Sequence, residues 1–145
     1  MVRQHPAASG QAVSPTHYDL PEMPKRNVPD ASPRRSCCPV ACTLDLIGDR
    51  WTLLVVRDLF AGRTRFAEFA RAPEGIASNI LSQRLDALVA SGLVERRSER
   101  GGGHAHYHLT ARGRSLRPVL EALNAWGLEH IKGTEARVQV PQEGH

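Results

Sequence analysis

Ser78, Asn79, Ser82 and Gln83 give one stretch of this chain a surface of short, neutral side chains that both donate and accept hydrogen bonds. They lie within GIASNILSQRLDALVASGLVERR, Gly75 to Arg97, where Leu81, Leu85 and Leu88 recur at helical spacing. The segment therefore predicts an amphipathic helix. Opposite its leucines the lysines and glutamates of an ordinary surface helix are missing. Ser78, Ser82 and Asp86 recur every four residues, and Asn79 with Gln83 forms the neighbouring row. Asn and Gln pair bidentately with adenine, Arg with guanine, and Ser with several acceptors. A glutamate-rich face would meet phosphate repulsion. Insertion into a DNA groove is the chemistry this face suits, and plain helix capping is the simpler alternative.

A second cluster is built from sulfur. Cys37, Cys38 and Cys42 are crowded together, and their odd number does not describe the disulfide framework of a secreted domain. If Pro39 is the first residue of a helix, Cys38 occupies its cap, where the helix dipole attracts negative charge. Arg34 and Arg35 act in the same direction. Cys38 is thus a candidate target for a small oxidant or electrophile such as a quinone or aldehyde, with Cys42 one turn on as its resolving partner. The plainer alternative is a small buried apolar residue.

His104, His106 and His108 alternate onto one face of a strand. Together with the three thiols they define the alternative reading, a metal-responsive sensor with soft ligands for zinc or copper(I). Cys37 and Cys38 are adjacent rather than spaced as C-x-x-C, and the histidines equally suit a solvated face near phosphates. The preferred reading predicts no metal site and no cofactor.

Regular punctuation sets out the elements that must position these groups. CPVACTLDLIGD reads as a short helix with Leu44 and Ile47 on one side and Gly48 as its stop. In RWTLLVVRDLFAG, Trp51, Leu54, Val55 and Leu59 follow helical spacing, and Leu53, Val56 and Phe60 fill much of the rest. That helix should be the buried centre of the core. RTRFAEFARAP supplies a third helix, with Phe66, Phe69 and Ala70 inward and Pro73 as its stop. The quoted segment is the fourth, ended by Ser91 and Gly92. The period then changes: LVERRSERGGGHAHYHLT alternates on either side of a glycine triplet, as a hairpin does. Arg96, Arg97 and Arg100 surround its first strand and turn, where they could meet a sugar-phosphate backbone. Thr110 can cap a last helix whose stripe is Leu116, Leu120, Leu123 and Trp126, and Pro118 should bend that helix or mark its true start.

Three or four helices, a hairpin and a long helix are the plan of a winged helix-turn-helix. The fold expected is mainly α with a small β-hairpin, dimerising through terminal helices. The domain should span 36–132. Residues 1–35, with six scattered prolines and few periodic apolar positions, and residues 133–145 are expected to be flexible tails. The chain has 145 residues, 41% hydrophobic and 23% charged, with a formal charge of +4 that permits a polyanionic partner. No apolar run approaches the roughly 20 residues of a membrane span, and the N-terminus lacks a secretory h-region. A cytoplasmic location and no membrane partner are expected. Gly-rich phosphate loops, H-E-x-x-H and G-x-S-x-G are missing, so an enzyme is not.

Cys-Pro, Ile-Gly-Asp-Arg-Trp, Leu-Ser-Gln-Arg-Leu and Leu-Thr-x-x-Gly occur in order over Cys38 to Gly127. In combination they resemble the HxlR-type winged-helix transcription regulators, relatives of the MarR group. The resemblance implies a homodimeric regulator on near-palindromic double-stranded operators, with Ser82, Gln83 and Arg84 in the recognition helix. It also implies a cysteine switch at the Cys-Pro position. One departure stands out: Ala77-Ser78-Asn79 occupies the place where the family often has Ser-Pro-Lys. The sites expected are Ser78, Asn79, Ser82, Gln83, Arg84, Arg97 and Arg100 for DNA, and Cys38 and Cys42 for sensing. Leu116, Leu120, Leu123 and Trp126 are expected at the dimer interface, joined by the helix that begins near Pro39.

Overall fold

Every apolar stretch of helical period in the sequence finds a helix in the structure. A computed structural model of the chain describes residues 36–98 and 103–136. The expected tail over 1–35, Arg34, Arg35, Arg100 and residues 137–145 lie outside the described residues. The elements are α1 (Pro39–Ile47), α2 (Thr52–Phe60), α3 (Phe66–Ala70), α4 (Ser78–Ala90), β1 (Val94–Ser98), β2 (Ala105–Leu109), α5 (Ala111–Arg114) and α6 (Arg117–His130).

Local chemistry sets these boundaries. Pro39 brings its fixed φ to the first residue of α1, and Cys38 is the extended N-cap. The helix stops at Gly48, whose N–H donates to the Leu44 carbonyl at 2.7 Å. The turn is so tight that a Cβ on Gly48 would run into the backbone of Leu44. Asp49 then opens α2: its Oδ1 accepts from the N–H of Trp51 at 2.9 Å and of Thr52 at 3.0 Å. Glu68 does the same for α3, its Oε2 taking the N–H of Thr64 and of Arg65, each at 2.8 Å.

The core forms where α2 meets α4 and the hairpin. Val55, Val56, Leu59 and Phe60 of α2 are buried with Leu81, Leu85 and Leu88 of α4, and Phe69, Ile76, Leu93, Val94 and Tyr107 complete the cluster. Asp58 is buried with them at 2% exposure. A carboxylate there is costly unless paired. Arg57 reaches it at 2.9 Å and Arg63 at 2.7 Å.

β1 and β2 pair antiparallel, with Val94 opposite Leu109, Arg96 opposite Tyr107 and Arg97 opposite His106. The loop before α3 adds a short third edge that the alternation did not forecast. Tyr107 donates its N–H to the Thr64 carbonyl at 2.8 Å, and Arg65 bridges to His106. Two residues cannot show a period, so the pattern carried no sign of it.

Pro118 marks a start rather than a bend. The last helical region divides into α5 and α6, and Pro118 lies in the first turn of α6. Lacking an N–H, it cannot continue a preceding helix. Thr110 caps α5 as expected, its Oγ1 accepting from the N–H of Gly113 at 3.1 Å.

Candidate nucleic-acid interface

The helix α4 is held along one stripe and bare along the other. Leu81 and Leu85 are fully buried and Leu88 nearly so, while Ser78, Asn79, Ser82, Gln83 and Asp86 are all exposed. Ala77 is the N-cap and offers no side-chain oxygen, so α4 starts without a side-chain cap. The exposed row is therefore free of the hydrogen bonds a capping role for Ser78 would have required.

The turn between α3 and α4 is braced from α2. Arg57 forms a fork on Glu74, Nη1 to Oε1 at 2.7 Å and Nη2 to Oε2 at 3.2 Å, while its Nε and Nη2 also hold Asp58. The Arg57 bond holds the Glu74 carboxyl below the ordinary glutamate range, against a smaller opposing effect of burial. Gly75 follows with φ +69, a left-handed conformation that a side chain rarely adopts, and lets the chain reverse into Ile76 and α4.

Arg84 is placed apart from the other residues expected at DNA. It flanks the buried stripe rather than the exposed row, and its Nη1 lies 3.3 Å from Asp49 Oδ2. That carboxylate also accepts the hydroxyl of Thr52. Burial is the largest single influence on Asp49 and raises its pKa. The hydrogen bonds from the Thr52 side chain and the N–H groups of Trp51 and Thr52, with the charge of Arg84, outweigh burial and leave the pKa lowered. Helical geometry explains the separation: at about 100° per residue, Arg84 lies a quarter turn from Gln83, toward Leu88.

On the hairpin, Arg96 and Arg97 are exposed. Arg97 pairs with Glu95 two residues back, and Glu95 stands opposite His108. The rings of His106 and His108 stack with centroids 6.4 Å apart, and Thr64 Oγ1 lies 3.1 Å from His106 Nδ1. His106 is thus tied to the loop before α3, and His108 stacks on His106. The cysteines are at the start of α1. Cys37 and Cys38 are exposed, and the partly buried Cys42 thiol donates to the Ser36 carbonyl at 3.1 Å. Among the described residues no three His, Cys, Asp or Glu side chains gather closely enough to hold a metal ion.

The expected interface stripe divides in two. Leu116 and Leu120 are half-buried against the core of their own chain. Arg117 over the Phe60 ring, 4.8 Å from its centroid, holds that end of α6 in place. Beyond it Leu123 is 52% and Trp126 59% exposed, with Val119, Leu128 and Ile131 also outward. Val40, Leu44 and Leu46 of α1 are exposed too. Sequence reasoning did not single out Val119 and Leu128. Val119 lies one turn before Leu123 and shares its side of α6, whereas Leu128 lies well round the helix from both.

Two helices joined by a tight turn, a buried stripe beneath the second helix and a hairpin beyond it define a winged helix-turn-helix. The HxlR-like helix-turn-helix family model matches residues 46–135, well over half of the sequence. The HTH-type transcriptional regulator Mb3122 of Mycobacterium bovis is 39% identical over 109 residues, covering 74% of this chain and 68% of the relative. Among solved structures, PA1607, described as a transcription factor, superposes with a TM-score of 0.67 at 40% identity over 77% of this chain and 80% of that one. The redox regulator HypR in its reduced form gives a TM-score of 0.61 at 32% identity over 66% of this chain and 95% of that one. The chain belongs to the HxlR-like helix-turn-helix family, a family of transcriptional regulators with a DNA-binding fold. Among the described residues no helix is long and apolar enough to cross a membrane.

Proposed function

We propose that the protein is a sequence-specific transcriptional repressor that binds near-palindromic double-stranded DNA as a homodimer in the cytoplasm. The observation that carries this reading is the exposed row Ser78, Asn79, Ser82 and Gln83, mounted on the buried Leu81, Leu85 and Leu88. Such a face can approach base edges closely while the stripe behind it fixes its angle. Arg97, and Arg100 beyond the described residues, are the wing's contacts to the sugar-phosphate backbone.

The dimer follows from what the single chain leaves uncovered. None of the fourteen residues of α6 is buried, and of α1 only Ile47 is. Leu123 and Trp126, with Leu44 and Val40, form the surface that a second copy covers. A single recognition helix reads few base pairs, so two copies about one DNA turn apart are what an operator requires.

The effector is a small oxidant or electrophile acting at Cys38, with Cys42 the second thiol. Supporting this are the exposure of Cys38 at the start of α1 and the similarity to HypR, itself a redox regulator. Cys38 stands two positions before Val40, so chemistry there acts next to the proposed dimer surface.

The experiment is a mobility-shift titration of the full chain on duplexes enriched from a random-sequence pool, at several salt concentrations, before and after diamide. Tight, salt-dependent binding to a two-half-site sequence, released by diamide in the natural protein but not in Cys38→Ser, is expected. Binding with no sequence preference would remove the repressor reading. Release that persists in Cys38→Ser would remove the switch alone.

A further inference from the structure

Arg84 is carried by the proposed recognition helix yet does not share its exposed face. Its guanidinium turns back to the junction between α1 and α2, where Nη1 lies 3.3 Å from Asp49 Oδ2. Its Nε is buried and makes no hydrogen bond among the described residues. The connection between α4 and the junction thus runs through one end of the guanidinium onto one carboxylate.

Asp49 is itself fully engaged. The same carboxylate accepts the N–H of Trp51 and of Thr52 and the hydroxyl of Thr52, so it cannot move without loosening the start of α2. On its other side the chain leads through Gly48 to Ile47, which is buried, and Gly48 packs directly on the Leu44 backbone. The end of α1 is thus closely packed up to Asp49.

Both side chains are about one-third exposed, and a pair so placed contributes little to stability. What it can do is fix an angle. We propose that Arg84 is a positioning residue rather than a base-reading one. Its ion pair with Asp49 is the link through which α1, with its cysteines and uncovered apolar residues, sets the orientation of α4 on DNA. This rests on the DNA-reading account above and adds to it the element that transmits the signal.

The test uses the full-length protein with Asp49→Asn, Arg84→Met, Arg84→Lys and the double variant Asp49→Asn/Arg84→Met. Asp49→Asn keeps the Oδ1 acceptor for the α2 amides and replaces Oδ2, which accepts from Thr52 and faces Arg84, by an NH2 donor. Two probes are used: the duplex that the natural protein enriches from a random pool, and a scrambled duplex of equal length at the same salt. Each single loss of the pair should weaken the enriched duplex about three- to tenfold, and the double variant no further. Binding to the scrambled duplex and the thermal midpoint should stay unchanged, the preferred bases should stay the same, and Arg84→Lys should retain most of the affinity. If Asp49→Asn fails to fold, Arg84→Met carries the test, because Arg84 takes no part in the cap.

Two results overturn the inference while leaving the DNA account standing. One is a changed base preference in Arg84→Met with natural binding in Asp49→Asn, which makes Arg84 a base reader. The other is losses that add in the double variant. A natural protein that enriches no sequence at all overturns the DNA account, and this inference with it.

Discussion

Gly113 lies against the backbone of Leu93. A Cβ there would come within 3.0 Å of the Leu93 carbonyl carbon, closer still to its oxygen, and 3.0 Å from Leu109 Cδ2. The contact joins α5 to the start of the hairpin, immediately beyond α4. Thr110 secures the same corner, donating its hydroxyl to the Gly92 carbonyl at 2.6 Å and its N–H to the Leu93 carbonyl at 3.1 Å. The Leu-Thr-x-x-Gly motif is thus a steric requirement, and it fixes where the wing stands relative to the proposed reading helix.

Gly113→Ala should therefore cost about 1–3 kcal/mol, the usual range for forcing an extra carbon into packed structure. Urea unfolding measures it directly. Gly127→Ala, where nothing lies near the added carbon, serves as the comparison and should be neutral or slightly stabilising. Equal stability of the two variants would contradict the close approach.

The two sides of α4 should separate cleanly under mutation. Leu85→Ala empties a fully buried position and should lose about 2–5 kcal/mol of stability. Ser82→Ala, on the exposed row, should leave the unfolding midpoint within about 0.5 kcal/mol of natural while weakening duplex binding. Parallel unfolding curves and mobility shifts on the same preparations distinguish the two. A Ser82→Ala protein that unfolds early would mean the row is structural.

Most of this was legible in the chain for a physical reason. Leucines at helical spacing must face one way, so the buried stripe of α4 and the buried centre at α2 could be read from period alone. Thr110 and Gly92 were likewise readable, because a cap hydroxyl and a helix-ending glycine are local signals. What was not legible depends on partners distant in sequence. The contact of Arg84 with Asp49, thirty-five positions earlier, leaves no local signal beside Gln83. Leu116 and Leu120 look like one stripe with Leu123 and Trp126 until Phe60 and its neighbours cover the first pair only. The third edge at Thr64 and Arg65 is too short to leave a period at all.

The outward part of α6 should behave as an interface. Trp126→Glu and Leu123→Glu, alone or with Leu44→Glu on α1, are expected to give folded monomers and to weaken operator binding severely. Sedimentation at micromolar concentration reads the change. A natural protein that sediments as a monomer would remove these residues from any dimer surface.

Acid should loosen the brace between α2 and the turn before α4. The Arg57 fork lowers the pKa of Glu74 from its ordinary value of 4.5. A carboxylate lowered on folding adds stability that is complete above its unfolded value and disappears as pH falls through the folded one. The protein should thus lose stability below about pH 4.5. Glu74→Gln, which lacks that contribution, should be less stable than the natural protein at pH 7 and converge with it as pH falls, giving a shallower acid limb. Urea midpoints from pH 3 to 7 give the comparison. Identical limbs in both proteins would show that the fork adds nothing across this range.

The central claim is that the neutral row of α4 meets bases, and enrichment of duplexes from a random pool tests it most directly. The natural protein, Asn79→Ala and Gln83→Ala are compared, with Arg97→Ala as the backbone control. The expected result is a two-half-site sequence in which Asn79→Ala and Gln83→Ala each lose preference at particular base pairs, while Arg97→Ala keeps every preference and binds all duplexes more weakly. Enriched sequences that are the same for all four proteins, at equal affinity, would contradict it.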